Sequence, residues 1–289
     1  MRNTEGTENT VICNCKQVKL FDIEDALYRK DRFSDVEKEF EDVQKITHCS
    51  TGCGGCHDKI MAIIGSILGD IAGSQYEFPI TRPTRLDWRY CNLFTDRCKF
   101  TDDTVMTLAV KFAIKNNKSF GEVYRNLGRK YQEVGYGEKF RDWLSRDDDK
   151  AYYSFGNGAA MRCSYIGEYF DSENEVEEWA IKSAECTHNH PEGIKGAITT
   201  AMCVYMARTG ATKDEIFQYV KLQYPLENYK YSIERQIADY RNSYHWNASC
   251  QGSVPAAIRC FLESDCYESF LRNVFSLRCD MDTLCAIGG

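Results

Sequence analysis

The chain has 289 residues, 43% of them hydrophobic, enough for one large core or for a medium domain with a small companion. It carries 36 basic and 43 acidic side chains, 9 and 12 of them up to Lys59, so neither part is basic and binding of nucleic acid through its phosphates is argued against. The uncharged run Ile60 to Gly69 is too short to span a bilayer, and Arg2, Glu5 and Glu8 leave no apolar leader, which predicts a soluble, cytoplasmic protein with no membrane partner.

Fifteen cysteines in such a chain read as thiols, metal ligands or small buried hydrophobes rather than disulfides. Cys13, Cys15, Cys49, Cys53 and Cys56 crowd one short window. Others, such as Cys203 and Cys260, stand singly in apolar stretches, the setting of a buried thiol.

In chain order, residues 1–10 are polar and read as frayed. Val11 to Lys59 form a cysteine-bracketed unit with two short helical patterns, Asp22–Arg29 and Ser34–Gln44; Ser34 and Glu37 have capping-box spacing. From Ile60 onward almost every segment reads helical. Apolar residues recur at three-four spacing in Thr104–Ile114, Glu175–Glu185, Gly193–Ala207, Lys213–Leu222 and Val254–Leu262. Strand signals are sparse, and prolines such as Pro191 and Pro255 fit helix starts or loops. The prediction is an all-α protein: a small helical domain over residues 1–59 and a large helical domain over residues 60–289.

Cys13-Asn14-Cys15 and Cys53-Gly54-Gly55-Cys56 supply four thiolates, which can close a tetrahedral zinc site or hold an iron–sulfur cluster with one pair on each iron. The glycines let backbone N–H groups approach the sulfurs. On the residues alone both metals stay open. With Val11-Ile12 before the first pair and His57-Asp58-Lys59-Ile60 after the second, residues 11–60 resemble the bacterioferritin-associated ferredoxin type of [2Fe-2S] domain. That resemblance implies a [2Fe-2S] cluster on Cys13, Cys15, Cys53 and Cys56 and a redox partner for it, with structural Zn²⁺ as the alternative. It gives Cys49 no role.

Four motifs mark the larger part. Gly65, Gly69 and Gly73 at four-residue spacing make one smooth helix face, with Asp70 and Glu77 seven apart and on one face for as long as the helix persists. Thr101-Asp102-Asp103-Thr104 precedes an apolar helical stretch; it reads as a cap with first-turn acids, or as oxygen ligands for a hard cation. Asp280-Met281-Asp282-Thr283 has the same make-up near the other end. Carboxylates so paired would repel unless divalent ions bound between them, which argues for a shared site over two separate caps. Phe155-Gly156-Asn157-Gly158-Ala159-Ala160-Met161-Arg162 offers small residues ahead of a helix, either a phosphate cradle or an ordinary helix entry.

In this order, together with Cys186-Thr187-His188-Asn189-His190-Pro191-Glu192-Gly193 and Gln251-Gly252-Ser253-Val254-Pro255, these motifs resemble the ADP-ribosylglycohydrolase (dinitrogenase-reductase-activating glycohydrolase) family over residues 60–289. The resemblance implies an all-α hydrolase with two Mg²⁺ ions that removes ADP-ribose from a modified protein, a small ADP-ribosyl compound or a modified nucleic-acid end. It places Thr101, Asp102 and Asp103 on one side of the metals and Asp280, Asp282 and Thr283 on the other. It gives the diphosphate to Gly156, Asn157 and Gly158, and the ribose pocket to His188 with Ser253 as a further substrate residue. Glu77 is then the carboxylate that takes a proton from water, with Asp102 and Asp103 as rivals. His190 reads as a helix-start histidine. The chain departs from the family at Arg278-Cys279, where two glycines are usual, and at Gly289, where a further core helix is expected. A catalytically impaired ADP-ribose-binding or redox-partner protein is therefore the alternative reading.

Overall fold

The structure, a computed structural model, describes residues 11–13, 16–19, 22, 45–46, 58–77 and 87–289. The chain divides into two units, Met1–Met61 and Ala62–Gly289. Cys15, Cys49, Cys53 and Cys56, the Ser34–Gln44 pattern and, apart from Asp22, the Asp22–Arg29 pattern lie outside the described residues, and of Cys13 only the backbone is described. In the smaller unit β1 (Val11–Cys13) pairs antiparallel with β2 (Val18–Lys19), Val11 opposite Lys19 and Cys13 opposite Val18. Strands this short leave no alternation in a sequence, which is why none was legible there.

From Ala62 onward the regular elements among the described residues are helices, as the spacing predicts. The helices are α1 (Asp58–Ser74), α2 (Asp102–Lys115), α3 (Phe120–Lys130), α4 (Glu138–Ser145), α5 (Ser164–Tyr169) and α6 (Glu173–Glu185). They continue with α7 (Pro191–Arg208), α8 (Lys213–Gln223), α9 (Ile237–Ser243), α10 (Cys250–Leu262), α11 (Tyr267–Phe275) and α12 (Met281–Gly288). The five apolar stretches fall inside α2, α6, α7, α8 and α10. Among the described residues no helix is long and apolar enough to cross a membrane.

Local chemistry sets several starts. Ser172 accepts from Glu175 N–H to cap α6, and Thr212 with Glu215 closes a capping box on α8. His190 is the helix-start histidine expected: its Nδ1 accepts from Glu192 N–H ahead of Pro191, the first residue of α7. Pro255 corrects one expectation, because it lies inside α10 and not at its start. Ser249 caps that helix earlier by accepting from Gly252 N–H, so the proline interrupts a helix already under way. The core centres on α7, which packs against α5, α6, α8 and α10 and fully buries Ala197 and Ala201.

The glycine stripe of α1 faces α12. A Cβ on Gly73 would stand 2.5 Å from Asp282 Cα and N, and one on Gly69 would strike the Cys285 carbonyl. One on Gly65 would strike the Gly289 carbonyl. No side chain separates the two backbones. The helix does not persist to Glu77: it ends at Ser74, whose hydroxyl donates to Ile71 O, and Tyr76 N–H turns back to Gly73 O. Gln75 ties that turn to Leu93 O and to the Thr95 hydroxyl.

Gly69→Val should therefore lower stability by about 3 kcal/mol or more, because backbone cannot yield as a side chain does. Gly137→Ala, whose Cβ meets nothing within 4 Å, should cost under about 1 kcal/mol. Urea midpoints of the two variants decide the matter, and equal midpoints would contradict the packing.

Candidate active site

Asp70 on α1 is fully buried and accepts four hydrogen bonds. Its Oδ2 takes Thr101 N–H at 2.9 Å, Thr104 N–H at 3.1 Å and the Thr104 hydroxyl, and its Oδ1 takes the Thr101 hydroxyl at 2.7 Å. These bonds seat the first turn of α2 on α1. Thr101 is also the cap of α2, accepting from Asp103 N–H at 3.2 Å. A hydroxyl oxygen used once as acceptor keeps one lone pair.

At α12 the capping logic differs. Asp280 occupies the cap position, yet its carboxylate makes no cap bond and instead accepts from Asn157 Nδ2 at 2.8 Å. Asp282 Oδ1 accepts from Thr283 N–H at 2.9 Å. The Thr283 hydroxyl lies 3.4 Å from Asp103 Oδ2, so the two acid–threonine motifs touch across 180 residues. Asp103 Oδ1 is buried with no hydrogen-bond partner. Oxygens of Glu77, Asp280 and Asp282 all lie within 4.8 Å of one another.

Such a cluster is electrostatically unfavourable as bare charge. Burial, then the charge of Asp70, pushes Asp102 and Asp103 well above the usual carboxylate range. Burial, then Asp280, does the same to Asp282. Asp280 is raised by burial but held back by the Asn157 bond, and Asp70 by burial against its threonine donors. Glu77 is pushed up to about 7 by burial, Asp280 and Asp70, against the pull of Lys99. Among the described residues none of these carboxylates makes an ion pair. An all-oxygen donor set with an orphaned carboxylate oxygen suits a hard divalent cation.

Glu77, Asp102, Asp103, Asp280, Asp282 and Thr283 line one cavity of about 600 Å³, and so do Gly156, Asn157, Gly158 and His188. Thr101 and Ser253, by contrast, are not brought to its wall. Ser253 is fully buried behind it, donating to Asn247 O and accepting from Asn157 Nδ2 at 3.0 Å. The glycine turn also differs from a bare backbone cradle. Gly156 N–H is engaged by the Ser154 hydroxyl and Asn157 N–H by Ala248 O, because residues 155–157 form a bridge with 248–250. Asn157 serves through its side chain, which joins Ser253 to Asp280. A Cβ on Gly158 would stand 3.2 Å from His188 Nε2, so that glycine keeps space open beside the ring.

Sequence reasoning missed the part played by Asp70, though its place inside the glycine stripe was the available signal. It also missed Tyr136 and Trp246, which line the same cavity without any motif to mark them, and gave no role to Arg162, which ends the glycine motif and lines the cavity too. Arg278 is exposed and Cys279 is turned inward, its thiol toward Val274 O, so the pair leaves Asp280 and Asp282 facing the cavity.

Residues 57–289 match the ADP-ribosylglycohydrolase family, and residues 11–66 match the BFD-like [2Fe-2S] binding domain. The chain is 25% identical over 263 residues to the ADP-ribosyl-[dinitrogen reductase] glycohydrolase of Rhodospirillum rubrum, covering 81% of this chain and 84% of that protein. It is 29% identical over 185 residues to human (Homo sapiens) ADP-ribosylhydrolase ARH3, a match covering 54% of this chain and 51% of the human one. The bovine (Bos taurus) ADP-ribosylhydrolase ARH3 is 28% identical over 204 residues, 58% of this chain and 56% of its own. The chain thus spans about half the length of these two relatives. A solved structure described as an ADP-ribosylglycohydrolase-related protein complex shares the fold at a TM-score of 0.58 and 18% identity, covering 80% of this chain and 84% of that one.

Proposed function

We propose, because the chain belongs to the ADP-ribosylglycohydrolase family, that residues 60–289 form a magnesium-dependent hydrolase cleaving the glycosidic bond between ADP-ribose and an acceptor. The observation that carries this reading is the convergence of Glu77, Asp102, Asp103, Asp280 and Asp282 on one cavity, none of them in an ion pair among the described residues. Asp102 and Asp103 at the start of α2, with Asp280, Asp282 and Thr283 at the start of α12, are the oxygens that would hold two Mg²⁺ ions, while Thr101, off the cavity wall, seats that turn of α2 on Asp70. Bound there, the ions would supply Lewis acidity toward ribose hydroxyls and toward water.

The chain's own groups do the rest. Glu77, the carboxyl poised near neutral pH, accepts the proton of the attacking water at its carboxylate. Asn157 Nδ2 holds Asp280 in place. Lys139 and Arg141 line the same cavity and offer the positive charge a diphosphate needs. The acceptor is a modified protein side chain, a small ADP-ribosyl compound or a modified nucleic-acid end. The binding-protein alternative drew on Arg278-Cys279, and with Arg278 exposed that pair lends it no support.

The BFD-like domain is read as residues 1–59 carrying a [2Fe-2S] cluster on Cys13, Cys15, Cys53 and Cys56, which reports redox or iron state to the hydrolase. The free thiols from Cys91 to Cys285 fit a reducing, cytoplasmic setting. Full-length protein purified without oxygen should be brown and contain iron and acid-labile sulfide, and Cys53→Ser should bleach it. Zinc without sulfide would overturn the cluster assignment.

Hydrolysis of a panel of ADP-ribosylated acceptors should need Mg²⁺ and fall by more than about 100-fold in Asp103→Asn and in Asp282→Asn. Mg²⁺ should also raise the unfolding temperature of the parent, and neither variant should keep the full gain. The gain depends on pH in a definite sense. Glu77, raised in the fold, binds more protons than in the unfolded chain, so without cation its contribution to stability is complete below about pH 4 and is lost as pH rises through about 7; the raised aspartates act in the same sense. Protons and Mg²⁺ compete for the same oxygens, so the gain should be larger at pH 7.5 than at pH 5.5. No Mg²⁺ effect on either stability or hydrolysis would return the two motifs to the status of helix caps.

A further inference from the structure

Arg162 is 1% exposed and plays no part in the acid cluster. Its Nη2 donates to Ser183 O at 2.8 Å and to the Thr187 hydroxyl at 3.0 Å, and its guanidinium lies over the Tyr124 ring at 4.2 Å. The same Thr187 hydroxyl lies 2.8 Å from His188 Nδ1. A guanidinium has donors only, so it takes a lone pair of that oxygen and leaves the hydroxyl proton for an acceptor. Nδ1 is that acceptor. With Nδ1 accepting, the ring proton sits on Nε2, the ring atom facing the positions that Cβ atoms on Gly158 and Gly156 would take, at 3.2 and 3.4 Å.

We propose that Arg162 and Thr187 are positioning residues whose hydrogen-bond chain fixes His188 in its Nε2–H tautomer and so presents one N–H donor to a ligand oxygen at the glycine turn. Such a donor adds to the turn, where Gly156 N–H and Asn157 N–H are already engaged within the protein. Burial, and after it the Arg162 charge, hold His188 well below the usual histidine range, so the ring does not take a second proton at neutral pH. Tyr152 packs edge-on against the ring at 5.7 Å and keeps it from turning freely. The donor to a negatively charged or hydroxylated ligand is therefore an uncharged imidazole whose orientation is set from behind.

This rests on the reading of the cavity as an ADP-ribose site, so the test has one arm that needs no ligand. Full-length protein labelled with ¹⁵N-histidine gives the tautomer from long-range ¹H–¹⁵N correlations at pH 7, the His188 ring being assigned by its loss in His188→Gln. The wild type should show Nε2–H, Thr187→Val should lose that fixed tautomer, and Thr187→Ser should keep it. In the second arm, calorimetric ADP-ribose affinity should fall about tenfold in Thr187→Val and stay within about twofold in Thr187→Ser. A wild-type His188 protonated on Nδ1, or on both nitrogens, overturns the relay, and this measurement decides even if a variant fails to fold. A Thr187→Val protein with the Nε2–H tautomer and full affinity overturns it as well. If the wild type binds no ADP-ribose, the functional reading falls while the tautomer still decides the relay.

Discussion

The close approach of two backbones, α1 to α12, is the constraint on which the site depends. Gly65, Gly69 and Gly73 leave no side chain between them, so the N-terminal turn of α12 is fixed to α1 without adjustable atoms. On the same helix Asp70 binds the first turn of α2 through Thr101 and Thr104. One rigid rod thus carries both acid motifs, and their distance is set by glycine spacing and one buried carboxylate. The contact between the Thr283 hydroxyl and Asp103 follows from that arrangement.

The arrangement is costly by itself. Burial raises every carboxyl in the cluster, repulsion between them adds to it at Glu77, Asp102, Asp103 and Asp282, and hydrogen bonds from Asn157 and the threonines offset part of the rise at Asp280 and Asp70. Such a cluster, kept where apolar packing would be more stable and with no ion pair among the described residues, is the feature on which the proposed cation site rests. Elsewhere in the cavity the logic is reversed. Arg162 and His188 hold a buried charge and an uncharged ring that meet through the Thr187 hydroxyl, so donors there are oriented by hydrogen bonds and not by repulsion.

Much of the fold was legible because it is local. Three-four apolar spacing gave the α2, α6, α7, α8 and α10 stretches, and Thr101, Ser172, Thr212 and His190 cap as their side-chain chemistry dictates. What escaped was set by contacts between distant residues. Glu77 reaches the cavity from a turn and not from the helix, because Ser74 and Gln75 divert the backbone through bonds to Ile71 and Leu93. Asn157 looked like part of a phosphate cradle, since no spacing rule connects it to Asp280, 123 residues away. Ser253 sits behind the wall for the same reason: its partners, Asn157 and Asn247, are chosen by packing of α10. Thr101 is both cap and neighbour of the acid cluster, so the competing readings of its motif describe one geometry.

The measurement that bears most directly on this account is anomalous diffraction at the manganese edge from crystals soaked in Mn²⁺, a hard cation that takes the oxygen sites of Mg²⁺. The account predicts anomalous peaks in the cavity bounded by Asp102 and Asp103 on one side and Asp280 and Asp282 on the other, absent from Asp282→Asn crystals soaked alike. Anomalous peaks confined to other parts of the protein, with none between the two acid motifs, would contradict it.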